Sequence, residues 1–296
     1  MQRSTDRRSR ALTQDLGYLF RRRNAMTQVV QAHNLKSQSV WNSPAGRYDD
    51  ISRSIADAIE HAVERLQPAS GERILDLATG TGWGSRVIAQ RFSGVNIVGA
   101  DIADQMLEYA RSTAAAQKLS IEYTHADAEK LPFADGSFDG VVSTFGVMFV
   151  GKPEAAAAEL GRVVKKGGRV VLATWTHDSN VFNMFGVMKK FMPPPPQPAP
   201  PSPFEWGKYD RLRELLANDF ELAFEEGTNH YRYGSGAQAW QLWSNHYGPS
   251  KMLAANLDDA QRAELKRDMI AWHETFRAPL GFDQPRQYIV TRAIRR

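Results

Sequence analysis

Cysteine is absent from all 296 residues. That excludes disulfides, thiolate zinc sites and cysteine nucleophiles. Long apolar runs are absent as well, so no stretch suits a membrane-crossing helix. The N-terminus has no apolar core behind its basic residues, and a secretory signal is not expected. These absences give the expectation of a cytoplasmic protein. Net charge is scarce in the body of the chain. The total is +4, yet residues 1–33 hold seven arginines against Asp6 and Asp15, leaving 30 basic and 31 acidic residues elsewhere. A near-neutral body argues against a broad nucleic-acid footprint. The Arg-rich arm, residues 1–40, admits anionic-surface docking, RNA contact, organelle targeting or a plain leader.

What the chain does have is organised around Arg73-Ile-Leu-Asp-Leu-Ala-Thr-Gly-Thr-Gly-Trp-Gly84. A short apolar run turns through closely spaced glycines into Ser85–Phe92, which reads as a helix. Strand, glycine turn and helix let a backbone approach a nucleotide closely. A phosphate loop would need a lysine at its end, and none is present. A dinucleotide turn would need a third glycine where Ser85 stands, and Gly84 comes one residue early. Asp76 lies inside the strand, where a carboxylate can accept from an ammonium group above the turn.

Further along, Asn96–Asp101 reads as a second strand, and Asp101 is placed to accept two ribose hydroxyls. Helix 103–116 leads to a third strand, 121–124, and to Asp127, placed to accept from an adenine amino group. Strand 140–145, helix 153–164, a turn at 165–168 and strand 169–175 follow. Strands alternating with helices mean a parallel sheet with right-handed crossovers.

These features resemble the class I S-adenosylmethionine-dependent methyltransferases, in their ubiquinone/menaquinone-biosynthesis-type branch. The resemblance covers residues 70–176. It rests on the glycine stretch, Asp101, Ala126-Asp127-Ala128, Leu131-Pro-Phe-x-Asp-x-Ser-Phe-Asp139 and Glu159-Leu-x-Arg-Val-x-Lys-x-Gly-Gly168. It implies an α/β fold: a Rossmann-like, doubly wound sheet of seven strands, the seventh antiparallel, with a helical insert. It also implies S-adenosylmethionine as cofactor. The cofactor-binding set would be Tyr48, Asp76, Ala78, Thr79, Gly80, Thr81, Gly82, Asp101, Ile102, Met106, Asp127, Ala128, Ser143, Thr144 and Phe145. Quinone enzymes of that branch carry an Arg-Asn pair where this chain has Gly146-Val147-Met148-Phe149, so a quinone acceptor does not follow.

Residues 41–296 are expected to form one methyltransferase domain. Trp41–Tyr48 reads as a loop, with Trp41 and Tyr48 as candidates for a lid. Ile51–Leu66 reads as one amphipathic helix. Residues 192–203 hold eight of the fifteen prolines and read as a stiff polyproline spacer. Residues 211–216 read as a helix and 220–225 as the sixth strand. Helices 236–249 and 258–276 fill an insert over 234–284, and 287–291 reads as the seventh strand. Inserts at this place often cap the acceptor.

Methyl transfer from a sulfonium needs alignment more than side-chain chemistry. His177, directly after the fifth strand, is the first candidate for a base, with His230 and His246 behind it. Met148, Trp175 and Trp243 are candidates for the acceptor pocket. Their apolar character gives the expectation of a small, uncharged, partly aromatic acceptor. The alternatives are an RNA or protein methyltransferase docking through the Arg-rich arm, and a cofactor-binding regulatory protein without catalysis. No metal is expected, and the oligomeric state is not legible.

Overall fold

The computed structural model describes residues 30–197 and 199–296. Most of the expected Arg-rich arm therefore lies outside the described residues. Its expected boundary at residue 40 falls inside helix α1, Leu35–Asn42. Trp41 is thus on a helix rather than in a loop, and a 3-10 turn, Ala45–Tyr48, follows it.

The helix expected over 51–66 is two helices, α2 at Asp49–Arg53 and α3 at Ala56–Leu66. The cause of the break is visible. The Ser54 carbonyl accepts from the Asn229 amide at 3.1 Å and from the Arg286 guanidinium at 2.7 Å. Side chains from the far end of the chain take the place of helical N–H donors there. The apolar stripe Ile59, Ala62, Val63 and Leu66 of α3 is buried against the sheet.

Five strands pair in parallel: β1 Arg73–Leu77, β2 Asn96–Asp101, β3 Glu122–His125, β4 Phe138–Thr144 and β5 Val164–Trp175. Helices α4 Trp83–Arg91, α5 Asp104–Ala116 and α6 Pro153–Val163 make the crossovers. Central strands β1 and β4 are apolar on both faces, with Ile74, Leu75, Val141 and Val142 fully buried. A parallel sheet covered on both sides demands such runs. The strand order is β3-β2-β1-β4-β5, so the chain reverses direction of winding between β1 and β4. That reversal opens a crevice at the carboxyl ends of the strands.

Helices α7 Asn180–Lys189 and α8 Tyr209–Leu216 lead to β6, Phe220–Tyr233. Between α7 and the turn Pro203–Gly207, the described proline-rich residues are exposed and in neither helix nor strand. The insert after β6 holds α9 Gly236–His246, α10 Gly248–Ala255 and α11 Asp259–Glu274. The helix expected over 236–249 stops early. At Gly248 the backbone meets α1 so closely that a Cβ would lie 2.5 Å from the Val40 carbonyl oxygen. A two-residue strand β7, Arg277–Ala278, then pairs with β8, Gly281–Arg295. β8 runs antiparallel to both β5 and β6 and completes the order β3-β2-β1-β4-β5-β8-β6.

Strands β6 and β8 are both far longer than expected. β6 and β8 pair from Phe220 opposite Arg295 to Tyr233 opposite Phe282, whereas β5 leaves β8 at Trp175 opposite Tyr288. Beyond that point the two strands continue as a ribbon toward the insert. Its polar residues, Thr228, Asn229, Arg232 and Asp283 among them, hid the continuation from a search for apolar runs.

Candidate active site

The carboxyl ends of β1, β2 and β4 open on one cavity. Its floor is the turn after β1. Gly80 has φ +56°, and a Cβ added there would stand 3.8 Å from Met106 Sδ and 3.9 Å from the Tyr48 ring, narrowing the cavity. Ala78 and Phe145 also take positive φ, +55° and +58°. A non-glycine residue in that region costs about 1–3 kcal/mol and persists where the surroundings hold it. Here Gly146 is pressed against Ala78, so the ends of β1 and β4 fix each other.

Asp101 ends β2 and faces the cavity. Its Oδ2 accepts from the Gly80 N–H and its Oδ1 from the Ala103 N–H, both at 2.8 Å. Burial pushes its pKa up to about 6; the two N–H donors oppose this, and the charge of Asp76 adds to it. Among the described residues no cation pairs with it. Its remaining lone pairs are available to hydroxyl donors.

Eleven of the expected cofactor residues line the cavity: Tyr48, Ala78, Thr79, Gly80, Asp101, Ile102, Met106, Asp127, Ala128, Thr144 and Phe145. Four do not. Asp76 lies beneath the turn, where its Oδ2 accepts from Thr79 Oγ1 at 2.6 Å and Ser85 Oγ at 2.7 Å. Burial raises its pKa, and its two hydroxyl partners brace the turn. The Thr81 carbonyl accepts from Arg86 at 2.6 Å. Gly82 caps α4. Ser143 Oγ accepts from the Val147 N–H at 3.1 Å and so orders the turn after β4.

Asp127 lines the cavity but is not an open acceptor. Its carboxylate already takes Asn34 Nδ2, the Gln31 N–H and the Glu129 N–H, each at 3.0 Å. The Asn34 amide stands where an adenine amino group was expected.

The expected acceptor residues do not line the cavity. Trp175 stacks on Phe145 with ring centroids 4.0 Å apart. Met148 is buried below, and Trp243 packs between Tyr231 and Tyr247. His177 is displaced altogether. It is exposed in a separate surface depression beside Tyr209 and Glu226, because the chain turns away from the cavity after Trp175. His230 pairs with Asp283 and His246 with Asp50, both outside the cavity lining. The variant His177→Ala is expected to leave cofactor affinity and turnover unchanged. A tenfold loss in either would return His177 to the reaction.

Sequence reasoning missed part of the lining. Asn34, Ser37, Ser52, Ile55, Ile59, Trp83, Phe149 and Val150 all line the cavity. Trp41 meets Tyr48, Phe149 and Tyr247 edge-on, at 5.8, 4.9 and 5.8 Å. Arg86, 5% exposed, locks this cover to the turn by pairing with Asp49 at 2.8 Å. The aromatic pair Trp41 and Tyr48 was a usable signal; Asn34 carried none.

A methyltransferase-domain profile matches residues 75–172. Over 209 residues the chain is 32% identical to the demethylmenaquinone methyltransferase of Clavibacter sepedonicus, covering 70% of this chain and 74% of that one. The chain belongs to the S-adenosylmethionine-dependent methyltransferases. Its branch is the ubiquinone/menaquinone-biosynthesis type. The methyltransferase is also 33% identical over 204 residues to an uncharacterised protein of Mycobacterium tuberculosis, covering 68% and 73% of the two chains. The solved structure of the YcgJ protein of Bacillus subtilis matches it with a TM-score of 0.57 at 18% identity. That match covers 81% of this chain and 99% of the other, and at such identity it speaks for the fold.

Proposed function

We propose that the methyltransferase binds S-adenosylmethionine in this cavity and methylates a small, partly apolar acceptor. Residues 70–176 form the cofactor half, and the insert over 234–284 covers the acceptor half. The observation that carries the reading is Asp101: a buried carboxylate at a strand end, without a cation, facing a cavity floored by a glycine turn.

The residues fit the cofactor. Asp101 would accept the ribose hydroxyls. Ile102 and Met106 offer apolar walls for the purine. Ala78 and Gly80 line the cavity, and the backbone there would receive the amino-acid end, since Asp76 is spent on hydroxyls of the turn. Asn34 must yield or rotate if Asp127 is to bind the adenine amino group. When bound, the cofactor supplies an electrophilic methyl group, so the chain has to orient and dry the reactants. Tyr48, Trp41 and Phe149 exclude water from above, and the fixed backbones of Ala78 and Phe145 hold the walls in place.

Calorimetry on the full chain tests the reading. S-adenosylmethionine should bind, and S-adenosylhomocysteine should compete for the same site. A folded protein that binds neither at millimolar concentration would reject it.

A further inference from the structure

The carboxylate of Asp127 lines the cavity, is 1% exposed, and has its hydrogen-bond capacity filled. Oδ1 accepts from the Glu129 N–H at 3.0 Å and from Asn34 Nδ2 at 3.2 Å. Oδ2 accepts from the Gln31 N–H and from Asn34 Nδ2, both at 3.0 Å. A carboxylate offers about four lone-pair sites, so a further donor has to displace one already there. The Glu129 N–H belongs to the same turn after β3 and stays with it. Gln31 and Asn34 belong to a strap that reaches the site from before α1.

This strap, residues 31–39, is held by polar contacts at successive strand ends. His33 Nε2 lies 2.6 Å from Glu129 Oε2, and Glu129 Oε1 accepts from the Lys152 N–H at 2.8 Å. Gln38 Nε2 donates to the Ile102 carbonyl at 3.1 Å. Gly151 leaves room for the strap: a Cβ there would stand 2.8 Å from both Asn34 Oδ1 and His33 Cδ2. Beyond Val30, which is buried, apolar anchorage is slight. No residue of α1 is buried, and Leu35 is exposed. A segment with few buried apolar contacts opens locally at low cost. The far end of α1 is anchored differently. Trp41 meets Tyr48, Phe149 and Tyr247, Val40 lies against Gly248 of α10, and Lys251 of α10 donates to the Ser43 carbonyl. Residues 31–39 are therefore free to lift while residues 40–43 stay in place.

We propose that Gln31 and Asn34 form a latch on Asp127 that the adenine amino group of the cofactor opens, so that cofactor binding releases the strap from the site. This rests on the reading above that the cavity takes S-adenosylmethionine. In the free protein the strap supplies donors to a buried carboxylate. In the complex Asp127 keeps the Glu129 N–H and gains the amino group, and the donors of Gln31 and Asn34 turn to water. Cofactor affinity is then the intrinsic affinity reduced by the fraction of protein whose latch is open. A ligand without an amino group at that position has nothing to offer Asp127 and leaves the latch shut. The device ties the position of the segment before α1 to the presence of adenine.

Hydrogen exchange of the full chain, read by mass spectrometry, tests the latch directly. The Gln31 N–H, protected by Asp127 in the free protein, should exchange about tenfold faster once S-adenosylhomocysteine saturates the cavity. The Glu129 N–H should stay protected and is the internal reference. S-inosylhomocysteine, with a carbonyl in place of the amino group, should bind more weakly and leave Gln31 protected. Asn34→Ala should bind S-adenosylhomocysteine about tenfold more tightly, because a hydrogen bond to a charged group no longer has to break. Asn34→Asp sets a like charge against Asp127 and should give fast Gln31 exchange with no ligand present. Should either variant not fold, wild-type exchange with the two ligands decides. The proposal is overturned if S-adenosylhomocysteine slows Gln31 exchange or leaves it unchanged, if S-inosylhomocysteine speeds it equally, or if folded Asn34→Ala binds no more tightly than wild type. Calorimetry on the wild type runs alongside. No binding of S-adenosylhomocysteine there rejects the cofactor reading, whereas binding without faster Gln31 exchange rejects only this proposal.

Discussion

Asp101→Ala should weaken cofactor binding roughly a hundredfold, with an expected cost of about 2–4 kcal/mol for two charge-assisted hydrogen bonds. The variant also frees the N–H groups of Gly80 and Ala103, so some loss of stability will accompany it. Asp101→Asn controls for this by keeping the size and one acceptor oxygen while removing the charge. Titration of the wild type gives an independent check. The carboxyl has its pKa raised to about 6, mainly by burial. The ionised form is the stronger acceptor, so cofactor affinity should climb as pH rises through 6 and level off above it. The unliganded protein should respond in the opposite sense. A raised pKa stabilises the fold at low pH, and that contribution is lost as pH passes about 6. An unchanged dissociation constant in folded Asp101→Ala, with no pH dependence in the wild type, would reduce Asp101 to a brace for the turn.

Gly82→Ala should be the most damaging small substitution in the turn. Gly82 has φ +79°, and a Cβ would stand 2.4 Å from Tyr123 Oη and 3.0 Å from Ala110 Cβ. The backbone conformation costs an L-residue about 1–2 kcal/mol, and overpacking adds about 1–3 kcal/mol. Tyr123 cannot retreat freely, because its ring already lies against Gly99, where an added Cβ would be 2.7 Å away. Urea denaturation should show the sum as a lower midpoint at unchanged slope. Adding Tyr123→Phe should recover the steric part and leave the backbone part. A double variant no more stable than Gly82→Ala would show that the collision with the hydroxyl is not the cause.

The turn and the strand ends were legible because their chemistry is local. A glycine with positive φ, an acid at a strand end and an apolar run each leave a mark within a few residues. Asp76 and Asp127 show what such marks leave out. Both acids were visible, but their hydrogen-bond partners were not. Thr79 and Ser85 occupy the first, and Asn34, over ninety residues away in sequence, occupies the second. The break between α2 and α3 was hidden for the same reason, since its cause is a guanidinium 232 residues distant. His177 lies away from the cavity for a different reason. Sequence placed it correctly after β5, but the direction the chain takes after a strand is a tertiary property.

The β6–β8 ribbon has a consequence for how this enzyme can change. The profile match, residues 75–172, and the glycine turn belong to one part of the chain, while the ribbon and the insert come from Phe220 onward. The ribbon leaves the sheet at Tyr288 and joins the insert without touching the register of β1 to β4. Substitutions, or whole exchanges, in its outer half can therefore accumulate while the strand ends that hold Asp101 and Ala78 stay where they are. If the insert covers the acceptor as proposed, two genes that share the first half and differ in the ribbon would diverge in substrate, and grafting the span from Thr228 to Gln287 between them would move that preference as a unit.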